Sequence, residues 1–251
     1  MAVSDQCLLQ YPVQPFETEI VGMPVCKLSL AETDDDADTE TLRQFTAAWR
    51  EKGIWLVSCR LSDDRVGAIE RLTDAGFRPI ENLVTFERRI DGDETVSDVE
   101  LATGDDIAAC IEISNGAFTH DRLHRDPLVP DTVADNVRRA WIRNNMNGRA
   151  DASFVIRRDG DVAGFNLCLF DGDTAVIDLI AVSPAFQKMN IGTRLVMGAL
   201  NHYRGRASRV RVGTQTENLA SIALYKKAGF AAVQQQTTLH WVNPDVTPDT
   251  A

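Results

Sequence analysis

"IWLVSCRLSDDRVGAIERLTDAGF", Ile54 to Phe77, and "ASRVRVGTQTENLASIALYKKAGF", Ala207 to Phe230, lie 153 residues apart and share one pattern. Each opens with an apolar run of strand length, crosses a polar turn, continues as a helix and stops at Ala-Gly-Phe. Gly76 and Gly229 stand where a glycine in the left-handed region closes a helix C-terminus. Identities are few, so the match is one of pattern, and the alternative is that any two strand–helix–Gly–strand units look alike. Read as a repeat, it pairs Gly76 with Gly229, Arg65 with Asn218 and Leu72 with Tyr225. The first copy keeps the architecture and lacks the polar side chains, as a non-catalytic scaffold would.

Working outward, the helix "TLRQFTAAWREKG" precedes the first copy, with Thr39 or Thr41 as its cap, and "ENLVTFERRI" (Glu81 to Ile90) alternates as a strand. The polar stretch "DGDETVSD" (Asp91 to Asp98) reads as a linker. After it come the helices "DDIAACIEISNGAF" and "TVADNVRRAWIRNNMNG", then three strands, "ASFVIRRDG", "DVAGFNLCLFDG" and "TAVIDLIAV". Asp159-Gly160 is a hairpin turn between the first two. A loop and a helix (Ser183 to Tyr203) lead into the second copy and a final strand, "AAVQQQTTLHWV". The expected organisation is an α/β (α+β) chain. Residues 1–95 form a smaller scaffold domain, 96–243 the main domain and 244–251 a disordered tail.

The 251 residues carry a net charge of −11, which argues against general affinity for nucleic acid or anionic membrane. Cys7, Cys26, Cys59, Cys110 and Cys168 form no CxxC pair, so neither a zinc site nor a disulfide framework is indicated. The four histidines show no metal-ligand spacing, and no metal is expected. No signal-like opening and no membrane-length apolar run is visible, so a reducing cytoplasm is the expectation.

Two motifs carry chemistry. In "DLIAVSPAFQKMNIGTRLVMGAL", Asp178 to Leu200, a strand runs into Pro184, then a loop, then a helix beginning near Ile191. Such geometry points free backbone N–H groups and the positive end of a helix dipole at one spot, which suits a pyrophosphate; an ordinary loop before a core helix is the alternative. In the second copy, Asn218 sits at a helix start, where its amide caps the helix or binds a ligand. Two turns on, Tyr225 projects from nearly the same face, as a core aromatic or as an acid.

Together and in this order, the motifs resemble the GNAT superfamily of acetyl-CoA-dependent N-acetyltransferases. "IAVSP" and "QKMNIG" match its Gln/Arg-x-x-Gly-x-Gly/Ala loop, with Asn190 in place of the first glycine; asparagine tolerates the left-handed region. Asn218 through Tyr225 to Phe230 match the later N-x-x-A/S-x-x-x-Y-x-K-x-G-F pattern. The resemblance spans roughly Val99 to Trp241. It implies a GNAT fold with a mixed, mostly antiparallel twisted sheet flanked by helices, preceded by a partial GNAT-like copy. It implies that Ile180, Ala181, Val182, Gln187, Lys188, Met189, Asn190, Ile191, Gly192, Thr193, Asn218 and Ser221 hold acetyl-CoA. Backbone N–H groups near Ile180 and Val182 would polarise the thioester, and Tyr225 would protonate the leaving thiolate.

Asp178 is a candidate base, with Glu81 and His120 as others and a water relay as the alternative. "FETEIVGMPVCKL" (Phe16 to Leu28) and "AFTHDRLHRDP" (Ala117 to Pro127) are similar to segments of the two-domain TDP-fucosamine acetyltransferase family. That implies a nucleotide-linked amino sugar as acceptor. Glu81, His120, Arg122 and His124 then line its site, with Arg125 nearby, unless that loop is merely solvated. Protein N-termini, polyamines and amino acids are alternative acceptors, and a degenerate acyl-CoA-binding protein is the alternative without turnover. Partners are expected to be small molecules, with no nucleic acid or membrane, and a homodimer is compatible. The N-terminal half is expected to bind no second acetyl-CoA, having no counterpart of the "QKMNIG" loop.

Overall fold

The computed structural model describes residues 9–30, 38–92, 96–115, 117–118 and 121–248. In chain order the elements are α1 (Pro15–Val21), β1 (Val25–Leu28), α2 (Thr39–Glu51), β2 (Leu56–Ser62), α3 (Val66–Asp74), β3 (Arg78–Arg89) and β4 (Glu100–Leu101). There follow α4 (Ile107–Ser114), α5 (Asp131–Asn144), β5 (Ala152–Arg158), β6 (Asp161–Asp171), β7 (Thr174–Val182), α6 (Ile191–Tyr203), β8 (Arg209–Gln215), α7 (Leu219–Lys227) and β9 (Ala231–Val242).

The chain forms two compact units: Met1–Leu83 with Asp121–Val137 and Gln235–Ala251, and Val84–His120 with Arg138–Gln234. This differs from the expected division at 95/96. The boundary falls inside β3 rather than in the linker, and residues 121–137 and 235–251 return to the first unit. Composition marks a polar linker, but only long-range packing decides which unit a strand end joins. The tail also differs from the expected disorder. Arg50 donates to both carboxylate oxygens of Asp245, at 2.6 and 2.8 Å, and Pro248 is buried; residues 249–251 lie outside the described ones.

In the first unit the strand order is β1-β2-β9, with β1–β2 parallel and β2–β9 antiparallel. Asp38 accepts the Thr41 N–H at 2.7 Å, so Asp38 caps α2, not Thr39 or Thr41. An aspartate before the first turn also suits the positive end of the helix. The helix buries Leu42 and Trp49, and Trp49 packs on Tyr11, Phe45, Phe77 and Trp241.

In the second unit the order is β3-β8-β7-β6-β5-β4. The β4–β5, β5–β6 and β6–β7 pairs are antiparallel and β7–β8 is parallel. One core lies on the α6 and α7 side of the sheet, around Leu195, Val196, Ala199 and Phe86. Another lies on the α4 and α5 side, around Cys110, Ile142, Phe165 and Leu179. The Asp159-Gly160 hairpin forms as expected, both residues having positive φ, 54° and 92°.

The repeat extends further than the sequence suggests. β1 runs parallel to β2 for four pairs, Val25↔Leu56 to Leu28↔Cys59, as β7 does to β8 from Thr174↔Arg209 to Ile177↔Val212. Each first strand leads to a 13-residue helix, α2 or α6. The N-terminal half thus has a strand and a following helix that correspond to β7 and α6, whereas residues 31–37 between them, where a counterpart of the "QKMNIG" loop would lie, are outside the described residues. The sequence conceals this relation because the two connections, "AETDDDAD" and "SPAFQKMN", have only alanine in common.

Candidate active site

Two parallel strands that stop pairing leave a gap at their C-terminal ends. β7 and β8 pair only as far as Ile177↔Val212, although β7 runs on to Val182 and β8 to Gln215. The divergence starts at an irregularity. Leu167 on β6 faces Leu179 and Cys168 faces Ile177, which leaves Asp178 as the extra residue of a bulge. Bulges bend a strand and raise its twist. The change of face is visible in the cores, since Ile177 packs on the α6 side and Leu179 and Ala181 on the α4–α5 side. Beyond the bulge, the Ser183 N–H donates to Ala163 on β6 at 2.9 Å. Successive N–H groups of a strand alternate in direction. Those of Val182 and Ile180 therefore point to the opposite edge, where β8 no longer pairs.

The connection from β7 supplies more donors. Pro184–Phe186 form one 3₁₀ turn, and Lys188 and Asn190 are both left-handed, with φ of 63° and 61°. Left-handed asparagine is uncommon but tolerated, which is how Asn190 stands where a glycine is usual. The N–H groups from Lys188 to Thr193 have no backbone acceptor among the described residues; the first helical bond is Arg194 N–H to Asn190 O. Gln187, Lys188, Met189 and Asn190 are exposed, while Ile191 is buried and anchors the turn. Gly164 on β6 lies under this corner: a Cβ there would come within 2.9 Å of the Ala181 oxygen and 3.1 Å of Ile191. Lys227 donates to the Asn190 side-chain oxygen at 3.3 Å, tying the end of α7 to the loop.

At the end of β8, Asn218 accepts the Ser221 N–H at 3.1 Å and so caps α7. Tyr225 follows, 2% exposed, packed on Phe86 and Phe230 at centroid distances of 5.9 and 6.0 Å. Burial, with the Cys168 sulfur nearby, pushes the phenol well above its ordinary pKa. Burial raises the thiols of Cys59 and Cys110 to about 12, which disfavours the thiolate.

Asp178 is not free in the gap. Its Oδ2 accepts from Asn145 Nδ2 at 2.9 Å and Arg149 Nη1 at 2.7 Å. Sequence reasoning missed both partners, and no motif marks them. The acceptor candidates sit in the first unit. Glu81, 5% exposed, accepts from Arg60 and Thr238, each at 3.1 Å. Arg122 pairs with Glu17 and approaches His240 Nε2 at 3.4 Å. His240 Nδ1 in turn faces Asp126 at 2.9 Å. An arginine can only donate, so Nε2 accepts and Nδ1–H donates to Asp126. His124 lies between Asp121 and Asp135, at 2.5 and 3.1 Å. His120 is outside the described residues. Among the described residues no cluster of His, Cys, Asp or Glu is arranged to hold a metal, and no helix is long and apolar enough to cross a membrane.

Known proteins resemble the chain in sequence and in fold. The family model of the acetyltransferase (GNAT) family matches residues 105–230, half of the chain. The chain belongs to the GNAT acetyltransferase family, a family of enzymes, and has its α/β fold. A curated relative, the spore coat polysaccharide biosynthesis protein SpsD of Bacillus subtilis (strain 168), is 34% identical over 138 residues, 55% of this chain. The chain spans about half of that relative's length, 47%. Among solved structures, a GCN5-related N-acetyltransferase from Sphaerobacter thermophilus is similar with a TM-score of 0.65 and 14% identity, covering 96% of this chain and 78% of the other. A tandem GNAT protein from the clavulanic acid biosynthesis pathway is similar with a TM-score of 0.61 and 12% identity, covering 90% and 77%.

Proposed function

We propose that the second unit binds acetyl-CoA and transfers its acetyl group to the amine of a small acceptor, a nucleotide-linked amino sugar being the first candidate. The observation that carries this is the divergence of β7 from β8 beside a run of acceptor-free N–H groups. The residues fit the co-substrate. Backbone donors from Lys188 to Thr193 and the N-terminus of α6 suit a pyrophosphate, with the ammonium groups of Lys188 and Lys227 near the same loop. Gln187 and Met189 flank that run, and Asn218 and Ser221 shape the facing start of α7. When bound, the thioester supplies the activated acyl group.

The chain's own groups do the rest. The Ile180 and Val182 N–H groups, with Ala181 between them, offer donors where charge develops on a carbonyl oxygen. Tyr225 holds its proton across the neutral range and so has one to donate to a leaving thiolate, although the burial that raises its pKa also makes it the weaker acid. The sugar acceptor draws support from the name of the curated relative, which belongs to polysaccharide biosynthesis. Glu81, Arg122, His124 and His120 remain the residues proposed for it. The test is free-thiol release from acetyl-CoA over a panel of nucleotide-linked amino sugars, amino acids, polyamines and peptide N-termini. Turnover with an amino-sugar nucleotide is expected. Turnover confined to another amine class removes the sugar, and no turnover with any amine sinks the enzymatic reading.

A further inference from the structure

The gap between β7 and β8 begins at one residue, and that residue is held. α5 ends at Asn144, and the chain continues through one wide turn, Asn145–Arg149, in which the Ala150 N–H returns to Asn145 O at 3.0 Å. Gly148 makes this turn possible with φ of 112°, a value that strains any side-chain-bearing residue. A left-handed glycine of this kind is a common way for a helix to end. The next residues lock onto β6, where the Asp151 N–H donates to Cys168 O at 2.9 Å and Ala152 faces Cys168. Cys168 is also the residue at which the β6–β7 register shifts. The wide turn, the start of β5 and the bulge therefore stand at one level of the sheet.

Across this level runs a closed set of bonds. Asn145, 1% exposed, donates to Trp141 O at 3.0 Å and to Asp178 Oδ2 at 2.9 Å. Arg149 Nη1 donates to Asn145 Oδ1 at 2.8 Å and to Asp178 Oδ2 at 2.7 Å. One oxygen of the bulge residue thus takes two donors, and the donors are bonded to each other.

We infer that Asn145 and Arg149 are positioning residues: by gripping the Asp178 carboxylate they fix the bulge that ends β7–β8 pairing and turn the Ile180 and Val182 N–H groups into the gap. On this account Asp178 anchors the strand and is not the base. The inference rests on the proposed binding of acetyl-CoA to this unit. A carbonyl held by two strand N–H groups depends on their placement, and misplacement by about 1 Å costs on the order of a hundredfold in comparable sites.

The test compares the full chain with Asn145→Ala, Arg149→Met, Arg149→Lys and Asp178→Asn, measuring calorimetric affinity for acetyl-CoA and for free CoA, with melting temperature alongside. The wild type is expected to prefer acetyl-CoA. The Ala and Met variants should lose that preference about tenfold, with CoA affinity changed less than about twofold, since the pyrophosphate donors lie elsewhere. Arg149→Lys, which keeps a donor, should recover most of the preference. Asp178→Asn, whose amide oxygen can still accept both bonds, should lose less than Asn145→Ala. Unchanged preference in well-folded Ala and Met variants overturns the inference, as does equal loss of both affinities. A wild type that binds neither acetyl-CoA nor CoA removes the cofactor site itself, and with it the inference.

Discussion

Leu72 and Tyr225 occupy the same helical position in two copies of one strand–helix–strand unit, and the two copies have diverged in a consistent way. The elements coincide at the 153-residue offset: β2 with β8, α3 with α7, β3 with β9, at both ends of each. The helix ends are closed alike, by Phe77 N–H to Leu72 O and Phe230 N–H to Tyr225 O, both at 3.0 Å. Leu72 is fully buried and Tyr225 nearly so. Arg65 makes no side-chain cap, whereas Asn218 does.

The larger contrast lies between strand and helix upstream. "AETDDDAD", Ala31 to Asp38, carries five carboxylates where "SPAFQKMN", Ser183 to Asn190, carries one lysine. An anion is repelled by the first and attracted by the second. Shape is kept in both copies, and the two differ in a few polar and charged side chains.

The sharpest way to break this contrast is at the paired positions. Tyr225→Phe keeps the ring and removes the proton, so turnover should fall by about 10²–10⁴ with acetyl-CoA affinity nearly unchanged. Near-normal turnover would leave Tyr225 with a packing role only. Leu72→Ala should instead lower stability by about 2–5 kcal/mol, read by denaturant titration, without a matching loss of turnover in the folded fraction.

Stoichiometry sharpens the contrast next. Calorimetry should find one acetyl-CoA per chain, and a second independent site would end the scaffold reading of the first unit. Charge reversal in the connection, Lys188→Glu, should weaken acetyl-CoA binding severalfold, with the loss shrinking as salt rises.

pH separates the units further. Burial, only partly opposed by the Asp126 hydrogen bond, holds His240 below its ordinary pKa. Burial opposes ionisation of Asp126 too, but its bonds from His240, Leu128 N–H and Arg78 prevail, and its carboxyl lies below the usual range. For both groups the unfolded chain binds the proton more readily. Stability is therefore full above about pH 6.5, declines as pH falls below it through His240, and declines again below about pH 4 through Asp126. Hydrogen exchange at pH 5 should show the loss first in amides of the first unit, and His240→Asn should flatten it. The smallest expected difference is at the caps. Asn218→Ala should cost about 1 kcal/mol, as judged by melting temperature, by removing a cap that Arg65, which donates instead to the Leu30 carbonyl at 3.0 Å, does not supply in the first copy.

Local signals were legible in the sequence where they were local in origin. Gly76 and Gly229 announce their helix ends, Asp159-Gly160 its hairpin, and the run from Ile180 to Thr193 its strand, loop and helix. The bulge at Asp178 was not, because it depends on the register of β6 against β7, which no residue type encodes. Asn145 and Arg149 read as the polar end of a helix, since their partner lies about thirty residues on. Arg122 and His124 were picked out by charge, whereas the buried His240 and Asp126 beside them were not, because isolated polar residues give no pattern until the strand and loop that carry them are folded.

β3 gives residues 78–83 to the first unit and 84–89 to the second, and β9 gives 231–234 to the second and 235–242 to the first. Each repeat thus surrenders the far end of its last strand. Gly76 is covered by Trp241, and Gly229 by Arg88, the residue that corresponds to Trp241. Cutting the peptide between Asp91 and Asp98 would separate the repeats as polypeptides but would not free two domains. Neither fragment would hold all the strands of either unit, so the pieces would have to be coexpressed to fold. A duplication of this kind, once the strand ends had crossed, could no longer be undone by losing one copy, since each unit takes strand segments from both.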